Sequence, residues 1–170
     1  VDEGEIGEIV VRGDQVTPGY FERPREDGLH KIKEGPALWH RMGDVGWQDS
    51  KGRFWICGRK SHRVVNGEKT HFTIPCESLF NTHPDVFRSA LVGIGPKGAQ
   101  EPVICIEVEP GSGADLTNLN AELLALATRN PLTQEIKNVL FHPGFPVDIR
   151  HNAKIFREKL AVWARKKIKS

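Results

Sequence analysis

Two opposite charges, Asp44 and Arg59, stand at the ends of a segment whose residue types suit recognition of a sugar or a phosphate. A carboxylate can accept both hydroxyl protons of a vicinal diol. A guanidinium beside it can donate to the same diol or to a phosphate oxygen. Between them Val45 and Trp47 alternate with polar or small residues, Asp49-Ser50-Lys51-Gly52 supplies turn chemistry, and Phe54 and Ile56 resume the alternation. That pattern predicts an antiparallel hairpin, which would return the chain beside its own start and make the two charges neighbours. Gly43 and Gly58 leave room next to each for something other than a side chain. Spacing alone is equally met by a surface ion pair on a tight hairpin, so both readings stand at this point.

The elements around the hairpin are set by composition and pattern. With 170 residues, 38% of them hydrophobic, the chain can bury a core and form one or two domains. Its net charge of +2 is the small difference between 24 basic and 22 acidic residues, which is no electrostatic footprint for nucleic acid. Cys57, Cys76 and Cys105 are far apart and odd in number. They read as buried free thiols of a reducing, cytoplasmic compartment. The histidines and cysteines lack metal-ligand spacing, so no metal site is expected. No apolar run approaches membrane-spanning length, and no leader pattern opens the chain. The first residue is Val, inside a strand-like pattern, and a piece of a longer protein is expected.

In chain order, residues 7–13 read as a strand, Pro18-Gly19 as the centre of a type II turn, and residues 22–37 as loop. After the hairpin, Asn66-Gly67 is a strong two-residue turn signal. Thr73 is the expected N-cap of a helix with Pro75 in its first turn. Residues 88–95 and 102–109 are the two best strands, joined by a loop short enough for a hairpin. Leu116, Leu119, Leu123 and Leu124 repeat at helical spacing behind Asp115, and residues 138–142 make a third strand. From Lys154 to Lys169, with Leu160, Trp163, Ala164 and Ile168 on one face, an amphipathic helix closes the chain. The basic residues at its end suit the negative end of the helix. The fold class expected is α+β. A central antiparallel or mixed sheet flanked by helices follows a β-rich piece, with the boundary at residues 60–61.

Several of these stretches resemble the late motifs of the AMP-forming adenylate synthetases, which include acyl-CoA ligases, luciferases and peptide-synthetase adenylation domains. The stretches are Gly7-Glu8-Ile9-Val10-Val11-Arg12-Gly13 with Gly19-Tyr20-Phe21, Arg41-Met42-Gly43-Asp44-Val45-Gly46, Gly52-Arg53-Phe54, and Gly58-Arg59-Lys60. Each is a weak pattern, but in this order and spacing they are specific. Residues 145–160, with Asp148-Ile149-Arg150-His151-Asn152-Ala153-Lys154, look further like the olefin β-lactone synthetases of bacterial long-chain olefin biosynthesis. The resemblance covers essentially the whole chain and implies the C-terminal third of such an enzyme. Residues 1–60 would end the large AMP-binding domain, and 61–170 would form the small mobile domain.

The resemblance also implies roles. Asp44 would hold the ribose hydroxyls of ATP, with Arg59 helping on ribose or phosphate. Ser61 falls at the hinge, where an ordinary linker serine is the plain alternative. Lys69 stands where relatives carry a basic residue that meets phosphate. Lys154 would be the catalytic lysine, its ammonium bridging the substrate carboxylate and the nucleotide. Pro146 lies eight residues before it, and Ala153 replaces the usual Gly, which makes the connecting loop longer and stiffer. His151 and Asn152 either assist ring closure, with a general base deprotonating the β-hydroxyl, or cap the loop before the last helix. The implied substrate is a long-chain β-hydroxy acid, and the implied cofactor is ATP with Mg2+ bound by residues upstream. Coenzyme A is not required, and other olefin-biosynthesis enzymes are conceivable partners. Asp44 and Lys154 would serve one nucleotide from two domains, and these residues alone are expected to be inactive. An acyl-CoA or acyl-AMP ligase and a non-catalytic interaction fragment are the alternatives.

Overall fold

A computed structural model describes residues 1–169, apart from the side chains of residues 151–153. The chain divides into two compact units, Val1–Ser61 and His62–Ser170. In the first, β1 (Gly7–Val11), α1 (Pro24–His30), β2 (Lys31–Glu34), β3 (Ala37–Gln48) and β4 (Phe54–Arg59) follow one another. The long β3 is the spine, pairing antiparallel with β1, β2 and β4. The stretch expected as loop over 22–37 therefore carries a helix and a strand. Pro24 suits the first turn of α1, where its missing N–H is not needed, and Glu26 and Asp27 complement the positive end. Gly35, at φ +55°, turns the chain so that Glu34 faces Ala37 and Lys31 faces His40. Gly35-Pro36 is thus a hairpin turn, while Pro24 and Gly28 lie within α1. Pro18-Gly19 is not a type II turn, because Gly19 lacks the positive φ that turn needs. The turn sits earlier, where the Val16 N–H donates to the Gly13 carbonyl at 3.0 Å.

A 3-10 turn, Lys60–His62, leads into the second unit. There β5 (Val64–Asn66) and β6 (Lys69–His71) form a hairpin whose turn has Gly67 at φ +59°. Then come α2 (Thr73–Phe80), β7 (Val86–Ile94), β8 (Glu101–Val108), α3 (Leu116–Thr128) and β9 (Asn138–Phe141). The chain ends with β10 (Val147–Asp148), β11 (His151–Ile155) and α4 (Arg157–Lys169). The sheet runs β7-β8-β9, antiparallel between the first pair and parallel between the second, with α3 in the crossover. Alternation on the strands divides the core between its two faces. Leu91, Ile104 and Ile106 meet Cys76 and Phe80 of α2 and Leu119 and Leu123 of α3. Ala90, Val92, Val103 and Cys105 meet Phe145 and, on α4, Leu160 and Ala164. Both faces are covered, which is why β7 and β8 read as continuous apolar runs.

Two helix starts differ from expectation. Thr73 is the first helical residue of α2 rather than its N-cap, a place taken by the extended Phe72. Pro75 then lies among the first residues, whose N–H groups have no intrahelical partner. Lys154 does not open the last helix, which begins at Arg157; it lies on β11. The segment from Pro146 to Lys154, expected as a long stiff loop, is a small hairpin. Asp115, which the sequence places only near the helix start, is the N-cap of α3, its side chain accepting from the N–H groups of Thr117 and Asn118. The three cysteines are free and buried. Among the described residues no helix is long and apolar enough to cross a membrane.

Candidate functional site

The β3–β4 hairpin places Asp44 directly opposite Arg59. Arg59 Nε lies 3.3 Å from Asp44 Oδ1, and Arg59 Nη1 donates to the Met42 carbonyl at 2.7 Å. The guanidinium is thereby fixed from two sides. Both side chains keep access to solvent, 56% for Arg59 and 30% for Asp44. A bulge makes this geometry: Val45 faces Gly58 and Gly46 faces Ile56, so Cys57 is the extra residue and turns inward, buried. Gly58, at φ +117°, supplies the backbone conformation that the bulge requires. Behind it the strands come very close. A Cβ on Gly46 would stand 2.5 Å from the Trp55 carbonyl oxygen.

The far end of the hairpin is locked by Asp49. Its Oδ1 accepts from the N–H groups of Lys51 and Arg53, and its Oδ2 from Arg53 Nε and the Trp55 indole. The Trp55 indole foremost, with the Arg53 backbone next, holds the Asp49 carboxyl down at about 2. Trp55 stacks on Trp47 at 5.8 Å between ring centroids. At the hairpin's root, Glu8 of β1 accepts from Lys60 Nζ at 2.7 Å and Arg41 Nη1 at 3.0 Å. The Lys60 hydrogen bond is the main reason that the Glu8 carboxyl lies below its usual range. Ser61 follows immediately, inside the 3-10 turn at the border of the two units. Sequence reasoning missed Glu8, whose partners lie 33 and 52 residues away along the chain.

The second unit carries Lys154 on β11, its side chain 65% exposed and Nζ 3.7 Å from Asp148 Oδ2. Lys69, which stands where relatives carry a basic residue that meets phosphate, pairs here with a carboxylate: Nζ lies 2.5 Å from Glu135 Oε1. His71, buried, completes this group, with Nδ1 3.2 Å from the Leu132 carbonyl and Nε2 3.6 Å from Glu135 Oε2. The side chains of His151 and Asn152 lie outside the described residues. Three positions past Lys154, Arg157 donates through both terminal nitrogens to Glu77 of α2, and to the Leu91 carbonyl at 3.1 Å. Glu77 also accepts from the Leu91 N–H at 2.7 Å. Burial outweighs the arginine and pushes the Glu77 carboxyl above its usual range. This pair ties the start of α4 to the core, and no local sequence signal announces it.

The chemistry these groups permit is limited and specific. The accessible Asp44 carboxylate can accept from a diol and the fixed Arg59 guanidinium can donate to a phosphate, and the two are also a surface ion pair. Among the described residues no three His, Cys, Asp or Glu side chains converge on a metal position. Lys154 is an accessible cation on a flexible stem.

No family profile matches the chain. It is 48% identical over 167 residues to the olefin β-lactone synthetase of Xanthomonas campestris pv. campestris, a match covering 95% of the chain and 30% of that protein. The olefin β-lactone synthetase of Stenotrophomonas maltophilia is likewise 48% identical, over 166 residues, with the same coverage of 95% and 30%. The chain thus spans about 30% of the length of these curated relatives. Among solved structures, the anthranilate CoA ligase in complex with anthranoyl-AMP superposes with a TM-score of 0.84 at 21% identity, over 100% of this chain and 32% of that one. This last likeness shows the fold. Identity across nearly the whole chain, on that fold, makes this chain a member of the AMP-forming adenylate synthetases, corresponding to their C-terminal part.

Proposed function

We propose that the protein activates a long-chain β-hydroxy fatty acid with ATP and closes the acyl adenylate to a β-lactone, releasing AMP and pyrophosphate. The observation that carries this reading is the 48% identity to olefin β-lactone synthetases over 95% of the chain. Residues 1–60 then end the large AMP-binding domain, residues 61–170 form its small mobile domain, and Ser61 is the pivot. Asp44 accepts the ribose hydroxyls and Arg59 donates to ribose or phosphate, roles supported by their pairing and exposure on the hairpin.

In the first step a carboxylate oxygen bonds to the α-phosphorus as the bond to pyrophosphate breaks. Two anions must approach, and Lys154 offsets their charge while holding them close. In the second step the substrate's own hydroxyl attacks the acyl carbon and AMP leaves. That step is intramolecular, so proximity helps offset the strain of a four-membered ring. The hydroxyl proton passes to a base, for which His151 is the candidate. ATP with Mg2+ supplies the activated phosphoryl group; its metal ligands are not assigned to this chain. No thiol acceptor is needed.

The test uses the full-length enzyme with a β-hydroxy acid and ATP, and no coenzyme A. β-Lactone, AMP and pyrophosphate are the expected products, and Lys154→Ala is expected to lower adenylation about 10²–10³-fold. Product appearing only with coenzyme A sinks the lactone reading in favour of an acyl-CoA ligase.

A further inference from the structure

The β10–β11 hairpin presents Lys154 through a residue to which no role has yet been given. Asp148 ends β10 with its side chain only 8% exposed. Its Oδ1 accepts from the Arg150 N–H at 3.0 Å, which closes the turn. Around the carboxylate stand two cations. Arg150 brings Nε to 3.4 Å of Oδ1 and Nη2 to 3.5 Å of Oδ2, and Lys154 brings Nζ to 3.7 Å of Oδ2. These contacts differ in kind. The backbone bond has ordinary length, whereas 3.7 Å is beyond a hydrogen bond and leaves a purely ionic attraction. The anion is buried and fixed by its turn, while the ammonium is exposed on a flexible stem. A buried carboxylate needs a compensating charge, and Arg150 still supplies one if Lys154 departs.

We propose that Asp148 is a positioning residue for adenylation, the resting counter-ion that aims Lys154 and then yields it to the substrate carboxylate and the α-phosphate. This rests on the role given to Lys154 above. Arg150 stays behind and keeps the vacated carboxylate neutralised. The backbone and side chain of Arg150, ahead of Lys154, hold the Asp148 carboxyl below its usual range, so it is ionised at neutral pH and available as a counter-ion.

The experiment measures ATP–pyrophosphate exchange by the full-length enzyme with a β-hydroxy acid for wild type, Asp148→Asn, Asp148→Glu and Lys154→Ala. Asparagine retains an oxygen for the Arg150 N–H but not the charge. Its kcat is expected to fall roughly tenfold, with KM for ATP within about twofold of wild type. Asp148→Glu is expected to recover most of the lost rate. If Lys154→Ala is inactive while Asp148→Asn matches wild type in rate, the inference alone is overturned. A slower Asp148→Asn with a lowered unfolding midpoint, not rescued by Asp148→Glu, also overturns it, making Asp148 merely structural. If Lys154→Ala exchanges at the wild-type rate, the adenylation role of Lys154 falls, and this inference with it.

Discussion

Asp49 gathers the N–H groups of Lys51 and Arg53, the Arg53 side chain and the Trp55 indole onto one exposed turn. These donors favour its charged form and bring its carboxyl from an ordinary 3.8 to about 2. The sign of the linkage follows. A depressed carboxylate contributes stability that is complete above 3.8 and lost as pH falls through about 2. The near-ultraviolet dichroism of the Trp47–Trp55 stack is therefore expected to hold at pH 4 and to fade with a midpoint near 2. Asp49→Asn should lack this titration. A midpoint at the ordinary carboxylate value would show that the four donors do not act on the ionised form.

Among elements, α2, β7 and α4 are joined through Glu77 and Arg157, a buried pair that also uses the N–H and carbonyl of Leu91. Arg157→Ala strands a buried carboxylate and is expected to cost about 3–5 kcal/mol in thermal or denaturant unfolding. Glu77 has a raised carboxyl pKa in the folded state. Its contribution is present below the unfolded carboxyl value and is lost as pH rises through the folded one. The Arg157→Ala defect should accordingly ease in acid, and Glu77→Gln in that background should remove the pH dependence. A defect of equal size at all pH values would contradict the pairing. The legibility of these elements follows the range of the forces that make them. A turn at Gly67, a helix starting near Asp115 and the apolar runs of β7 and β8 are local signals and read directly from sequence. Asn66 pairs with Lys69, however, so the two-residue loop is Gly67-Glu68 rather than Asn66-Gly67. β10 has only two residues and is held by a side chain bonding to its own turn, so helical periodicity seemed to run back to Lys154. The Asp44–Arg59 pairing was legible because a local hairpin brings the two together. The partners of Lys69 and Glu77 were not, at 66 and 80 residues along the chain.

For the whole molecule the two units differ in how they are built. The second has apolar clusters on both faces of a sheet, while the first leans on one long strand and has few fully buried apolar residues, Val45 and Cys57 among them. The cysteines are distributed across that division, Cys57 in the first unit and Cys76 and Cys105 in the second. Burial raises all three thiols, those of Cys76 and Cys105 to about 12, so native thiolate is scarce and an alkylating reagent must await an opening of the chain. Each unit therefore carries its own clock. In a timed labelling experiment read by mass spectrometry, Cys57 is expected to modify first, and Cys76 and Cys105 together and more slowly. One common rate for all three would mean that the units open as one. Differing rates would let the opening of each half be followed in the native sequence, nucleotide present or absent, with its own cysteines as the reporters.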